Sequence, residues 1–206
     1  VILDGSGSGN AACGGGCGCT GLAGGHPSII FARVRRTRQS GTAFNTASLV
    51  AVWSLPNSQV GGTSLIGTPG PTLSFVGSMS ASRWGTDTIR GRTVNTLRFE
   101  GDGRITGSMS GTSIPINDES RTLAGWFKAT QSGGNGPFGW GASGCNNAYY
   151  LGLYSSPQLL LDQWCQTEGV NPIISSRQNN RWYHVVVTYD RSSNRNTAYI
   201  DGSLVR

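Results

Sequence analysis

Trp182-Tyr183-His184-Val185-Val186-Val187-Thr188-Tyr189-Asp190, followed after a polar turn by Thr197-Ala198-Tyr199-Ile200-Asp201-Gly202, is the stretch that decides the fold. Side chains alternate across a strand, so Trp182, His184, Val186 and Thr188 project to one side and Tyr183, Val185, Val187 and Tyr189 to the other. Both sets are largely apolar, as expected of a strand covered on both faces inside two stacked sheets. The pair reads as a hairpin seated mid-sheet in a sandwich, with neighbours wanted on both edges.

Working outward from the hairpin, the chain keeps the same character. Short apolar runs at 49–55, 72–76, 95–99, 103–107, 122–129, 137–141, 149–154, 158–164 and 172–175 are punctuated by Gly, Pro, Asn and Ser. Regular spacing of short strands predicts a sandwich of antiparallel sheets. Glycine numbers 32 of 206 residues, about twice the usual ~7%. The charged fraction of 13% is about half the usual ~25%. No segment carries a sustained helical period, and Gly disfavours helix interiors by about 1 kcal/mol against Ala. One all-β domain accommodates this length without a second.

The net charge of +6 is carried almost entirely by arginine, Lys128 being the one lysine. Arginine's planar fork suits carboxylates, sulfates and phosphates, which makes an acidic glycan or an acidic neighbouring subunit conceivable; a plain solvated surface is the simpler reading. No nucleic-acid reader motif accompanies the charge, so no nucleic-acid partner is expected. No apolar run reaches the ~18 residues of a membrane-spanning helix. The chain has neither an initiator Met nor a signal peptide, as expected of a processed chain or a fragment.

Five cysteines in a Gly/Ser/Thr-rich β chain favour an oxidising, extracellular setting. Cys145 and Cys165 flank a hairpin whose turn is Ser155-Ser156-Pro157, and folding about that turn predicts a disulfide between them. Cys13, Cys17 and Cys19 remain as an odd set, for a local or intersubunit disulfide. With His26 they offer four zinc donors, but only the Cys13 to Cys17 interval has structural-zinc spacing, and disulfides fit better. No Asn-x-Ser/Thr sequon occurs, leaving only O-linked glycans among the common types.

Residues 1–47 read as a Gly/Cys-rich extension that cannot build a core alone. Within it, residues 28–36 form one good strand, with Ile29, Ile30, Phe31 and Val34 as its apolar side chains. Beyond it, four pieces stand in a telling order: Leu49-Val50-Ala51-Val52-Trp53-Ser54-Leu55, Asn95-Thr96-Leu97-Arg98-Phe99-Glu100-Gly101-Asp102-Gly103, Thr122-Leu123-Ala124-Gly125-Trp126-Phe127-Lys128-Ala129, and the Trp182 hairpin. Residues 48–206 thereby resemble the laminin-G-like jelly rolls of the concanavalin A-like lectin and glucanase superfamily. The resemblance implies a two-sheet antiparallel jelly roll in a protein that binds or connects things outside the cell. It leaves the function open, because this fold hosts lectins, adhesion modules and glycosidases. Against the resemblance two departures are expected: closing strands that relatives carry beyond the Asp201-Gly202 turn are lacking, unless the sequence is a fragment, and the extension is surplus.

Candidate sites follow from these pieces. Glycoside hydrolysis needs two carboxylates across the sugar bond. Glu100-Gly101-Asp102 is the one pair with suitable spacing, but it falls at a turn and Arg104 stands where a third carboxylate would continue the pattern. An enzyme is therefore not expected, nor does any Ser/His/Asp ordering support a nucleophilic triad. Calcium wants six to eight oxygens; Asp102, Asp118, Glu119 and Asp201 could meet at one rim, with ordinary turn acids as the alternative. Trp53, Trp126 and Trp182 lie on expected strands and read as core, whereas Trp84 and Trp140 lie nearer strand ends and are the first candidates for stacking on a sugar. His184 reads as a satisfied core residue.

Together, the missing closing strands and the spare strand predict a non-catalytic extracellular structural protein without an obligatory cofactor. Its N-terminal segment completes a jelly roll in its own chain or in the next subunit of a homopolymer, by strand addition beside the Trp182 hairpin. The alternative is a carbohydrate-binding, lectin-like module.

Overall fold

The structure, a computed structural model, describes residues 2–3, 28–30, 53–67, 70–100, 103–108, 119–130, 137–141, 148–153, 158–163 and 172–205. Among these residues the regular elements are strands and two short 3-10 turns, Asn57–Gln59 and Ala81–Arg83. The strands of the first half are β1 (Ile2–Leu3), β2 (Ser28–Ile30), β3 (Ser64–Leu65), β4 (Leu73–Val76), β5 (Trp84–Ile89), β6 (Arg92–Arg98) and β7 (Arg104–Thr106). Those of the second half are β8 (Arg121–Lys128), β9 (Phe138–Gly141), β10 (Ala148–Leu153), β11 (Leu159–Gln163), β12 (Pro172–Ile174), β13 (Trp182–Asp190), β14 (Arg195–Ile200) and β15 (Ser203–Leu204).

The largest sheet has seven strands in the order β15-β14-β13-β8-β2-β6-β5, all antiparallel. A five-stranded sheet runs β1-β9-β10-β11-β12, with only the β1–β9 pair parallel, and a three-stranded sheet runs β3-β4-β7. This is the all-β sandwich that the spacing of strands predicts, in agreement with the jelly roll that the resemblance implies. Residues from all three sheets share one core, including Phe127, Val185 and Leu97 from the first, Tyr149, Leu151 and Leu159 from the second, and Leu65, Leu73 and Ile105 from the third.

Strand β13 has the bounds that its sequence predicts, but its faces are unequal. Tyr183, Val185, Val187 and Tyr189 are buried while Trp182, His184, Val186 and Thr188 are only half-buried, so the second face looks onto a partly open surface. The reason is architectural: the other sheets cover one side of the seven-stranded sheet. Three contacts define that covered side. The Arg121 guanidinium carbon lies 4.8 Å from the ring centre of Tyr149 on β10 and 5.0 Å from that of Tyr189 on β13, and the Tyr149 hydroxyl reaches Asn196 on β14 at 3.5 Å.

Two tight hairpins close the ends of this sheet. In both β5–β6 and β14–β15 the loop is two residues long, and both central residues have positive φ: 49° and 75° at Arg90-Gly91, 52° and 90° at Asp201-Gly202. Two-residue loops of this kind match the twist of the flanking strands, and glycine relieves the second position. Strand β5 was not among the strands expected from sequence. Its Trp-Gly-Thr-Asp-Thr-Ile run is too polar to stand out, although the Arg90-Gly91 turn is a signal that could have found it.

Candidate functional site

The most unusual element is the shortest interior one. Strand β2, from the Gly-rich N-terminal part of the chain, lies between β6 and β8 in the middle of the seven-stranded sheet. Ser28 stands opposite both Arg98 and Lys128, Ile29 opposite Leu97 and Phe127, and Ile30 opposite Trp126. Leu97 and Phe127, the residues opposite position 29, are fully buried. The flanking strands have seven and eight residues, and β2 pairs with one end of each.

Two of the four apolar residues expected to form a donor strand, Ile29 and Ile30, are therefore in an interior strand of this chain's own sheet. Phe31 and Val34 lie outside the described residues. The docking position corrects the expectation that the strand lies beside the Trp182 hairpin. There β13 is flanked by β8 and β14, and β14 is flanked in turn by β15, so the N-terminal strand enters on the far side of β8.

Across the outer face of the same sheet runs a polar and aromatic cluster. Asp87 on β5 pairs with the Lys128 ammonium on β8 and accepts a hydrogen bond from the Trp182 indole N–H on β13 at 3.2 Å. The Lys128 ammonium also lies 5.1 Å from the Trp182 ring centre. Burial pushes the Asp87 carboxyl up, but the Lys128 hydrogen bond, the Thr88 amide and the Trp182 indole outweigh it and hold the group below the usual carboxylate range.

Next to this, the Arg90 guanidinium lies 5.2 Å from the ring centre of Trp126, whose other neighbour is the His184 ring at 4.9 Å. The Asp201 carboxylate accepts from the His184 backbone N–H at 3.0 Å and from Arg181 at 2.9 Å. Burial and the Arg90 charge lower the His184 pKa against the opposing pull of Asp201, so the imidazole stays neutral at pH 7. His184 is thus a half-buried residue of the outer face, and not of the core between the sheets. Alternation along β8 and β13 puts Trp126, Lys128, Trp182 and His184 on one face; that Asp87 and Arg90 join them depends on tertiary structure.

The other sites expected from sequence are placed as follows. Trp84 opens β5, packs against the core and stacks on Phe75 with ring centres 6.4 Å apart, and its indole N–H donates to the Gly62 carbonyl at 2.8 Å. Its role here is packing, because the half-buried ring lies on the covered side of the sheet. Trp140 is on β9, and its side chain lies outside the described residues. So do Cys13, Cys17, Cys19, Cys145 and Cys165, together with Asp102 and Asp118.

Asp201 sits beside His184, whereas Ser120, the neighbour of exposed Glu119, accepts from the Arg191 amide at the opposite end of β13. At about 3.3 Å per residue the two ends are roughly 23 Å apart, so Asp201 and Glu119 do not meet at one rim. No group of three or more His, Cys, Asp or Glu that could hold a metal ion occurs among the described residues. Glu100 is engaged by Arg83 and, at 2.8 Å, by Arg98.

Comparison with known families adds one finding. A laminin-G-type family described as the concanavalin A-like lectin/glucanases superfamily matches residues 99–206, just over half of the chain. The chain belongs to this superfamily. No curated protein and no solved structure matches it. The superfamily match begins at Phe99 and takes in β7 to β15, so the β2 strand and the β5–β6 hairpin lie outside it. The sheet of this superfamily member is thus completed by a strand from outside the matched region. Among the described residues no helix is long and apolar enough to cross a membrane.

Proposed function

We propose that the chain is a non-catalytic extracellular structural or adhesive module, and that copies of it join head to tail into a surface filament by lending β2 to the slot between β6 and β8 of a neighbour. The family supports the general part: laminin-G-like domains are typically non-catalytic binding modules and are commonly extracellular. The observation that carries the particular part is the position of β2. A three-residue strand drawn from a Gly-rich segment fills an interior slot, and a slot that accepts a remote segment of one chain can accept the same segment of another. Main-chain hydrogen bonds supply the affinity and the apolar positions 29 and 30 supply the register.

The test uses two full-length variants, Ser28→Cys and Arg98→Cys, whose positions stand directly opposite each other across the β2–β6 pair. Cysteines placed opposite each other on neighbouring strands are within reach of disulfide geometry. Mixed and mildly oxidised, the two pools are expected to yield a 28-to-98 linkage between different chains, identified by mass spectrometry, together with fibres in electron micrographs. If only the double variant links, and only within one chain, the assembly reading falls.

The outer face favours a second reading, a carbohydrate-binding module. Trp182 is half-buried there beside the Asp87–Lys128 pair, and aromatic faces flanked by charged hydrogen-bonding groups suit sugars. A glycan array with Trp182→Ala as control, run with and without calcium, distinguishes the readings. Sugar binding lost in that variant favours the lectin, whereas no binding by either protein favours the structural module.

A further inference from the structure

In hydrogen-bonded order, β5 and β13 are separated by β6, β2 and β8. Strands in a flat sheet lie about 4.8 Å apart, so four intervals would place β5 roughly 19 Å from β13. That is more than an indole and a carboxylate can span, yet Trp182 Nε1 lies 3.2 Å from Asp87 Oδ2. The sheet therefore curls over its outer face until β5 leans toward β8 and β13. The Asp87 contacts cross both β6 and β2, and the Arg90 guanidinium over Trp126 makes a second crossing from the tip of the same hairpin. Beneath the crossing Ile89, Thr96 and Trp126 are buried at 4%, 9% and 6% exposure, although all three belong to the outer face.

Strand β2 has two paired residues on β6 and three on β8. Few hydrogen bonds hold so short a strand, and its release breaks pairing with both β6 and β8, which parting of those two strands would ease. The β5–β6 hairpin cannot swing away from β8 while Asp87 holds Lys128 and Trp182. We propose that Asp87, with Lys128 and Trp182 as its catch and Arg90 as a second one, is a latch that locks β2 in the slot and sets the rate at which the slot opens to a strand from a second copy. This rests on the strand-exchange reading for its biological purpose, but the latch itself is a property of one chain.

The test is hydrogen–deuterium exchange of the full-length chain, read by mass spectrometry on peptides covering residues 28–30 and 183–200. Asp87→Asn removes the charge, and Trp182→Phe removes only the indole donor and keeps a ring in place. Glu100→Gln removes an ion-pair partner that makes no crossing. Loss of a partly exposed charge-assisted contact is expected to speed exchange at 28–30 about tenfold in Asp87→Asn and a few-fold in Trp182→Phe. Glu100→Gln should leave it unchanged, and 183–200 should stay protected in all three.

Unchanged exchange at 28–30 in both latch variants overturns the proposal. Equal acceleration at 28–30 and 183–200 does so as well, because it signals general loss of stability. The 28-to-98 cross-link between chains separates the two ideas. If the latch variants loosen β2 but no interchain link forms, the latch stands and strand exchange fails. If interchain links form at the same rate with and without Asp87, exchange stands and the latch fails.

Discussion

The facing of the two main sheets can be tested at a single glycine. A Cβ added to Gly125 on β8 would lie 3.0 Å from both Cε1 and Cζ of Phe138 on β9, and 3.5 Å from Cδ1. Carbon atoms prefer about 3.5 to 4.0 Å, so the new methyl is short by roughly 0.5 Å or more against a ring that is 1% exposed. The ring is the far end of a side chain and can yield a few tenths of an ångström, but not freely in a close-packed interior. Overpacking of this kind costs about 1–3 kcal/mol. Replacing glycine by alanine also removes freedom from the unfolded chain, which offsets about 0.4–1 kcal/mol. Gly125→Ala is thus expected to lose roughly 1–2 kcal/mol. Phe138→Leu removes the ring atoms concerned, so in that background the same substitution should be close to neutral, with a coupling of about 1–2 kcal/mol. Urea titration of the four proteins by tryptophan fluorescence gives the cycle, provided the slopes agree. If Gly125→Ala costs the same with Phe138 as with Leu at that position, the two sheets do not meet there.

Three further outcomes follow from the same packing. Gly139→Ala puts a Cβ 2.1 Å from Tyr150 Cβ and 2.5 Å from its Cα. Backbone cannot yield as a ring does, so this variant should lose more stability than Gly125→Ala and expose the amides of the β9–β10 pair to hydrogen exchange. Phe127→Ala empties a fully buried site stacked on Tyr183 at 5.6 Å between ring centres; a loss of about 3–5 kcal/mol in urea unfolding is expected. Stability should also fall on acidification in two steps. The folded pKa of His184 is below its unfolded ~6.5, so its contribution is complete above that pH and is lost as pH drops toward the folded value. Asp87 is likewise depressed, so its contribution is present above ~3.9 and disappears as pH falls through its lower folded value. Urea midpoints measured from pH 8 to pH 3 should show the first step vanish in His184→Gln and the second in Asp87→Asn.

The fold class was legible because period-two patterning is local. Strands β8 and β13 were expected within one residue of their observed bounds, and Asp201-Gly202 marked the tight turn after β14. Strand β5 was missed because Gly85, Thr86 and Thr88 carry little apolar signal and its pairing partner, not its composition, makes it a strand. The candidate site was legible only in part. Ile29 and Ile30 were recognised as strand residues in need of a partner, yet which edges they would join was not, since pairing between residues about 70 and 100 positions apart leaves no local trace. Trp84 looked available from its place near a strand end; the tertiary fold spends its ring on Phe75 and its N–H on Gly62.

By itself the sequence determined that the chain is all-β, that its strands are short and largely antiparallel, that Trp182 to Asp190 is a strand with a core face, and that a Gly-rich N-terminal segment carries a strand. Each of these rests on alternation, turn residues and composition, which act between near neighbours along the chain. Only the tertiary structure decided that the other face of the Trp182 to Asp190 strand is only half covered, that β2 lies between β6 and β8, and that Asp87 reaches Lys128 and Trp182 across it. Those contacts depend on how far a seven-stranded sheet curls, and curl is the summed twist of every strand in it, a quantity that no single segment encodes.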